Sequence, residues 1–513
     1  MSHFPNTPAF TGFFKPERWE GDIFDCEVEG QVPTELDGAF FRVQPDPQLP
    51  PKLGNDIAFN GDGAISQFRI RDGRVDFKHR WVKTDKFRLE REEGRALFGA
   101  YRNPLTDDPR AAGRYRGTAN TNAIAYGGKL FALKEDSPPV AMDPFTMETE
   151  GYYDFGGAMD APTFTAHPKV DPITGNLCAF SYATEGLCTR GVIYWEFAPD
   201  GSLVRKIPFE APYYCMMHDF GVTQDYAIFH IVPSIGSWDR LEKGLPHFGF
   251  DTTLPVYLGV LHRNGDGSDI RWFQAPNLFA SHVMNAFNDG TKVYFDTPEA
   301  KNNMFPFFPD VHGAPFNPRE AASFITRWTV DMNSNGTEFE NRERLTNVMG
   351  EFPKIDERYA TIPYRHGWML SQDLSKPFDV PSGKSAGGLA MNTLGHLDHA
   401  TGKTHTWWAG PTSTLQEPAF VPKSAASGEG EGWIVAVCNR LDEWRSDLVM
   451  FDALNIEEGP VATVKLPLRL RTGLHGNWHS AEDLGVQTLP GKGKATEPLV
   501  AAQNPVSPKI GLG

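Results

Sequence analysis

Cysteine is scarce in this chain: five in 513 residues, Cys26, Cys178, Cys188, Cys215 and Cys438. Their number is odd, their spacing is wide, and no Cys-x-x-Cys pair occurs, which argues against a disulfide framework and against a thiolate zinc site. A reducing cytoplasm is the compartment that fits this usage. Basic residues are also outnumbered, 49 Lys and Arg against 65 Asp and Glu, for a formal charge of -16. Phosphate recognition needs basic surface and no Lys/Arg cluster offsets the deficit, so no nucleic-acid partner is expected. No apolar run reaches membrane-spanning length, and the opening "MSHFPNTPAFTGFF" lacks the basic segment and apolar core of an export signal. A soluble, cytoplasmic protein without stable membrane insertion is expected.

Long amphipathic helical windows are equally rare; "PREAASFITRW" is one place where a short helix could start. What fills the chain is a repeated unit of a short apolar or alternating run followed by a Gly/Asn/Asp turn. Examples are "GGKLFALKED", "GNLCAFSYAT", "GVIYWEFAPDGSLVRKIPF", "GTKVYFDTP", "LGHLDHATGKTHTWWAG" and "EGWIVAVCNR". These are hairpin signals, and the 50 glycines and 41 prolines agree with a loop-rich β fold. Many short strands at regular spacing, with no low-complexity linker, favour a β-propeller over a string of sandwiches. Residues 1–513 therefore read as a single all-β propeller domain. The number of blades does not follow from periodicity.

In a propeller the inner strands converge on one axis, so a metal site there would draw on isolated histidines far apart in sequence. Of the fifteen histidines, His262, His312, His396 and His399 sit in turns or surface hairpins and read as solvated or structural. Four have richer settings near strand boundaries: His167 in "TFTAHPKVDPITG", His218 in "CMMHDFGVTQDYAIF", His282 in "FASHVMNAFNDG" and His475 in "TGLHGNWHS". Asp219 reads as the anchor of the turn that aims His218. His479, four residues after His475, would share its face if the segment were helical.

These four segments resemble those that bind iron in the carotenoid cleavage oxygenase superfamily. "AFFRVQPDPQLPP", "FNGDGAISQFRI", "EFPKIDERYATIPYRHGW", "QEPAFVPK" and "LHGNW" extend the likeness in family order along nearly the whole chain. The resemblance implies a seven-bladed propeller with loops and short helices capping its active-site face. It implies one axial Fe(II) per chain held by His167, His218, His282 and His475, with O2 as co-substrate. The glutamates that accept from the ligand rings would be Glu135 in "LKEDSPP", Glu351 in "GEFPKID" and Glu417 in "QEPAFVP". Four neutral imidazoles suit a first-row divalent metal and leave it its full charge, and each would donate its other N–H to a carboxylate or carbonyl. The resemblance also admits a homodimer.

Within the superfamily the chain is most similar to the bacterial lignostilbene dioxygenases, which split the central double bond of 4-hydroxystilbenes into two aromatic aldehydes. The positions matching their substrate contacts are Phe59, which would pack on the ring, and Tyr101 and Lys134, which would meet the 4-hydroxyl. A phenol ordinarily ionises near pH 10, and its anion pushes electron density into the conjugated double bond. A lysine ammonium stabilises that anion and a tyrosine hydroxyl can donate to it. If Lys134 and Glu135 lay in one strand they would face opposite ways, one to substrate and one to an iron ligand. Thr121 matches a position near the open iron site, and Phe305 in "NNMFPFFPD" is a candidate for an apolar wall. Alternatives are a carotenoid or apocarotenoid cleaver on the same scaffold, and a non-catalytic propeller serving as an interaction platform. A calcium-dependent hydrolase would need converging carboxylates instead.

Overall fold

Hairpin chemistry is plain in the strands Asn122–Tyr126 and Lys129–Leu133, which are joined by Gly127 and Gly128 alone. Both glycines have positive φ, 57° and 89°, so this tight turn carries the twist that right-handed strands require. Asp72 and Gly73, at 52° and 74°, do the same between Gly63–Arg71 and Arg74–Trp81. The computed structural model describes residues 3–380 and 390–494.

Among the described residues, seven antiparallel sheets follow one another around a ring, with one further two-stranded pair, Ser234–Gly236 with Phe248–Phe250. We number these blades one to seven in chain order. Blade one contains Gly38–Pro45, Gly63–Arg71 and Arg74–Trp81; blade two runs from Asn122–Tyr126 to Thr149–Tyr152, and blade three from Lys169–Val170 to Leu203–Glu210. Blade four runs from Gly221–Val222 to Arg271–Ala275 and blade five from Phe279–Ala280 to Asn341–Arg344. Blade six runs from Gly350–Ile355 to Lys403–Trp408, and blade seven from Ser413–Leu415 to Ala462–Lys465.

Two exchanges close the ring. The late strand Gly476–Ser480 completes blade one by pairing with Gly38–Pro45, while the early strand Glu27–Gly30 completes blade seven by pairing with Ala462–Lys465. The two ends of the described chain are thereby tied into neighbouring blades, and each blade keeps only short edges, as propellers do.

The core lies in wedges between neighbouring blades. Phe68 and Phe77 of blade one pack with Val435, Val437 and Leu448 of blade seven, and Phe41 and Ile65 pack with Leu130 and Ala132 of blade two. Close packing explains individual glycines: a Cβ on Gly259 would lie 2.4 Å from the Trp272 ring, so the indole lies flat against the neighbouring strand. Tyr226–Ile231 is buried at every position, as a strand inside a blade must be.

α-Helices among the described residues are short: Asp85–Glu93, Trp238–Glu242 and Ala481–Gly485. The "PREAASFITRW" segment is not one of them. Residues 318–320 form a turn and Ser323–Asp331 is a nine-residue strand. Ile325, Trp328 and Val330 are fully buried there, and burial of β-branched and aromatic side chains overrides the helix propensity of two alanines. Long connections, most of them between strands of one blade, form a cap, in which Tyr101 packs on Phe308, Phe308 on Phe248, and Phe59 on Phe305 and Phe307.

Candidate metal centre and adjoining pocket

Four histidines reach the propeller axis from residues just ahead of axis-lining strands. His167 precedes Lys169–Val170, His218 precedes Gly221–Val222, His282 precedes Asn285–Asp289, and His475 precedes Gly476–Ser480. One ring nitrogen of each lies within 4.8 Å of the others. Nε2 of His218 is 3.2 Å from that of His167 and 3.1 Å from that of His282.

Three of the imidazoles are held by buried glutamates. Nδ1 of His218 donates to Glu135 at 2.5 Å, that of His282 to Glu351 at 2.6 Å, and that of His475 to Glu417 at 2.9 Å. The other oxygens are held too: Glu351 accepts from the Ser281 hydroxyl, and Glu417 from the Gly476 N–H at 2.6 Å. Glu351 stands at an irregularity between Glu351 and Lys354, with Phe352 at φ 51°. That local distortion turns the carboxylate out of strand register toward His282. Each blade thus supplies one member of the assembly: His475, Glu135, His167, His218, His282, Glu351 and Glu417 for blades one to seven.

Asp219 also has a role that its neighbour in sequence does not reveal. It accepts from the Phe220 N–H, from Lys169 at 2.8 Å, and through Oδ2 from the Val283 N–H at 2.8 Å. It ties the turn bearing His218 to the turn bearing His282.

The donor set fits a divalent first-row metal. With Nδ1 donating to a carboxylate, each of these three imidazoles presents the lone pair of Nε2 to the centre, and His167 turns its own Nε2 to that of His218. Two nitrogens each about 2.1 Å from a common ion and at right angles to it lie about 3.0 Å apart, close to the spacings found. Burial keeps His167 well below its ordinary pKa and His475 down to about 4, so both stay neutral as ligands must. Against burial, which raises it, Lys354 and His475 hold Glu417 down to about 2. A second convergence, Glu17, Asp46 and His79, is surrounded by Arg42, Arg469 and Arg471. Three buried guanidiniums already oppose two carboxylates, which disfavours a cation.

His479 stands apart from the cluster: its Nε2 accepts from the Ala125 N–H at 3.0 Å. Gly476–Ser480 is a strand and not a helix, so residues four apart are not stacked on one face. His396, expected in a hairpin, is buried within the strand Thr393–Asp398 and bonded to His366 at 3.0 Å, a structural histidine.

A cavity of about 600 Å³ runs along the axis, lined by the inner strands of all seven blades and by His167, His282 and Glu417. Phe59, Tyr101, Lys134 and Phe305 line no part of it; they gather in the cap. Lys134 is 4% exposed. Its ammonium donates to the Phe59 carbonyl at 3.0 Å and to Asn120 Oδ1 at 3.2 Å, and lies 5.0 Å from the centre of the Tyr101 ring. The third N–H remains to be used. Phe59 meets Phe305 and Phe307 edge-on, and Phe305 also contacts Phe279. Burial lowers the Lys134 pKa, although Asp136 and Glu135 oppose it, and pushes the Tyr101 phenol above its ordinary value.

Lys134 and Glu135 do not share a strand. Lys129–Leu133 ends just before them, and Glu135 is in a turn. Their divergence comes from that turn: Lys134 reaches the cap loop and Glu135 reaches His218. Thr121 is buried, donates to Asn120 Oδ1 at 3.2 Å, and accepts from the His475 N–H at 3.3 Å. A short chain of contacts, from Lys134 to Asn120 to the Thr121 hydroxyl and from the Thr121 carbonyl to the His475 backbone N–H, joins the cap to the segment bearing His475. Asn120, Ser281 and Arg102 were not singled out by sequence. Nothing local marks them, since their partners lie on other segments.

Residues 14–480 match the family described as the retinal pigment epithelial membrane protein. The chain is 55% identical over 490 residues to lignostilbene-alpha,beta-dioxygenase isozyme III of Sphingomonas paucimobilis, covering 95% of this chain and 100% of that protein. It is 42% identical to resveratrol cleavage oxygenase 1 of Aspergillus fumigatus, covering 95% and 98%. The crystal structure of Pseudomonas brassicacearum lignostilbene dioxygenase superposes with a TM-score of 0.91 at 43% identity, over 93% of this chain and 100% of that one.

Proposed function

The chain belongs to the retinal pigment epithelial membrane protein family, the carotenoid cleavage oxygenases, and on that premise we propose that it is an Fe(II)-dependent dioxygenase of 4-hydroxystilbenes. It cleaves their central double bond with O2 to give two aromatic aldehydes. Names of relatives support the substrate class, lignostilbene and resveratrol among them. The observation that carries the reading is the buried ammonium of Lys134, with one N–H unspent, beside Tyr101.

His167, His218, His282 and His475 hold the iron, and Glu135, Glu351 and Glu417 fix the rings of three of them. Iron bound there supplies a site at which O2 is activated for attack on an electron-rich alkene. The protein makes the alkene electron-rich. Phe59 and Phe305 bound the substrate ring, while the phenol hydroxyl is received by Lys134 and Tyr101. As an ammonium, Lys134 has its third N–H to donate to the phenol oxygen, and the positive charge beside that oxygen lowers the phenol pKa so that its proton is lost to water. The ammonium pairs with the phenolate, and Tyr101, held neutral, donates its hydroxyl hydrogen to the same oxygen. Negative charge then reaches the double bond by conjugation.

The same lysine weighs against a carotenoid substrate. Against a hydrocarbon chain the remaining N–H of that buried ammonium would find no acceptor, which is unfavourable. No helix among the described residues is long and apolar enough to cross a membrane. The deciding experiment compares O2-dependent cleavage of a 4-hydroxystilbene with that of its 4-methyl ether by the iron-loaded protein. Cleavage of the phenol alone is expected; equal cleavage of both would remove the phenolate step.

A further inference from the structure

Arg102 is the residue next to Tyr101, and its backbone takes φ 52°. Its side chain is 4% exposed. The guanidinium carbon lies 5.6 Å from the centre of the Tyr101 ring and 5.5 Å from those of Tyr182 and Phe248. Only NH1 makes a hydrogen bond, to the Tyr182 hydroxyl. Nε and NH2 have none, and neither does Oδ1 of Asp136. These groups face two acids: NH2 is 3.6 Å from Glu135 Oε2 and Nε is 3.4 Å from Asp136 Oδ2. A cavity of about 70 Å³, lined by Arg102, Glu135, Asp136 and Tyr182, adjoins them, large enough for water.

A guanidinium that is buried yet incompletely bonded needs a reason, since each unmade bond is unfavourable. The reason lies on the far side of Glu135. Its Oε1 accepts the short bond from His218 Nδ1. A carboxylate in that position makes an imidazole a stronger donor to metal, and a cation on the other oxygen draws that electron density back. The three glutamates are not served alike: Ser281 and the Phe352 N–H hold Glu351, Lys354 approaches Glu417 at 3.5 Å, and Arg102 faces Glu135. Arg102 differs in that its other side lies on the aromatic residue of the phenol pocket.

We propose that Arg102 is a positioning residue that links the phenol pocket to the metal centre, holding the Tyr101 ring on one side and moderating the Glu135 to His218 hydrogen bond on the other. This rests on the four-histidine iron site proposed above. Removing the guanidinium leaves Glu135 free to strengthen His218 as a donor, which favours ferric over ferrous iron. Removing the Glu135 charge leaves Arg102 little to moderate.

The test is a double-mutant cycle read as the Fe(III)/Fe(II) midpoint potential. It uses the wild type, Arg102→Met, Glu135→Gln and the double variant, with kcat and KM measured in parallel. Arg102→Met should lower the potential and raise KM for the phenolic stilbene. In the Glu135→Gln background the same substitution should move the potential by less than half as much. An equal shift in both backgrounds, or no shift in either, overturns the proposal. Wild-type protein that binds no iron would instead overturn the metal site itself, so the two failures are distinct. If Arg102→Met alone does not fold, the cycle is run in Arg102→Met with Asp136→Asn, which removes a buried cation and anion together, with the same outcomes expected.

Discussion

His218 Nδ1 donates to Glu135 Oε1 at 2.5 Å across 83 residues of chain. The bond joins blade four to blade two past the whole of blade three. It fixes which imidazole nitrogen bears hydrogen, and so which one faces the centre. The same relation recurs for His282 with Glu351 and His475 with Glu417, and gives the cluster its predetermined geometry.

His475→Ala should abolish stoichiometric iron binding, while His479→Ala should leave it intact. The second histidine only accepts a backbone N–H from Ala125. Iron content of the two purified variants, beside wild type, checks this; equal loss in both would mean that the cluster was drawn from the wrong histidines.

Glu351→Gln keeps the shape of the side chain and removes its charge. The amide can still receive one hydrogen bond, but the basicity that Glu351 gives His282 falls. A drop of about 10- to 100-fold in metal affinity is expected, measured by competition with a chelator, with the fold unchanged by circular dichroism.

Lys134→Met and Tyr101→Phe act on substrate and not on metal. Each should reduce kcat/KM for a 4-hydroxystilbene with iron content unaltered, Lys134→Met by about 100-fold or more. Tyr101→Phe removes one donor to the phenolate and should have the smaller effect. Steady-state kinetics on iron-matched preparations would reveal it, and unchanged rates in both variants would disprove phenolate activation.

Glu17 supplies a pH test away from the centre. Its side chain is 2% exposed. Burial first, then Asp46, pushes its pKa up from 4.5 to about 7, although Arg469 opposes this. Between those values the folded chain holds a proton that the unfolded chain has lost, so stability falls as pH rises through that window. Full ionisation destabilises the fold by about 3 kcal/mol. Glu17→Gln imitates the protonated form. The thermal midpoint of the variant should therefore gain on that of wild type from pH 4.5 to pH 7 and hold its lead above; a constant difference would assign the shift to another group.

Some of this was readable from single segments and some was not. The glycine pairs and Asp-Gly turns announced their hairpins because turn chemistry is local, as in Tyr126-Gly127-Gly128-Lys129. The "PREAASFITRW" segment misled because two alanines suggest a helix locally, whereas Ile325, Trp328 and Val330 are drawn into the sheet by neighbours hundreds of atoms away. Lys134 and Glu135 were legible as a pair facing different partners, but the device was a turn and not the alternation of a strand. Arg102 and Asn120 gave no signal, since a buried polar residue is recognised only by what surrounds it.

The sequence by itself determined the strand-and-turn content and the family, and through the family resemblance it proposed four histidines and three glutamates, because motifs in a fixed order survive without coordinates. Tertiary structure alone decided that these seven residues come one from each blade, that His475 and not His479 joins the cluster, and that Lys134 is buried with a hydrogen to spare. Those facts depend on distances between segments far apart in the chain, and only closing the ring brings such segments within hydrogen-bonding reach.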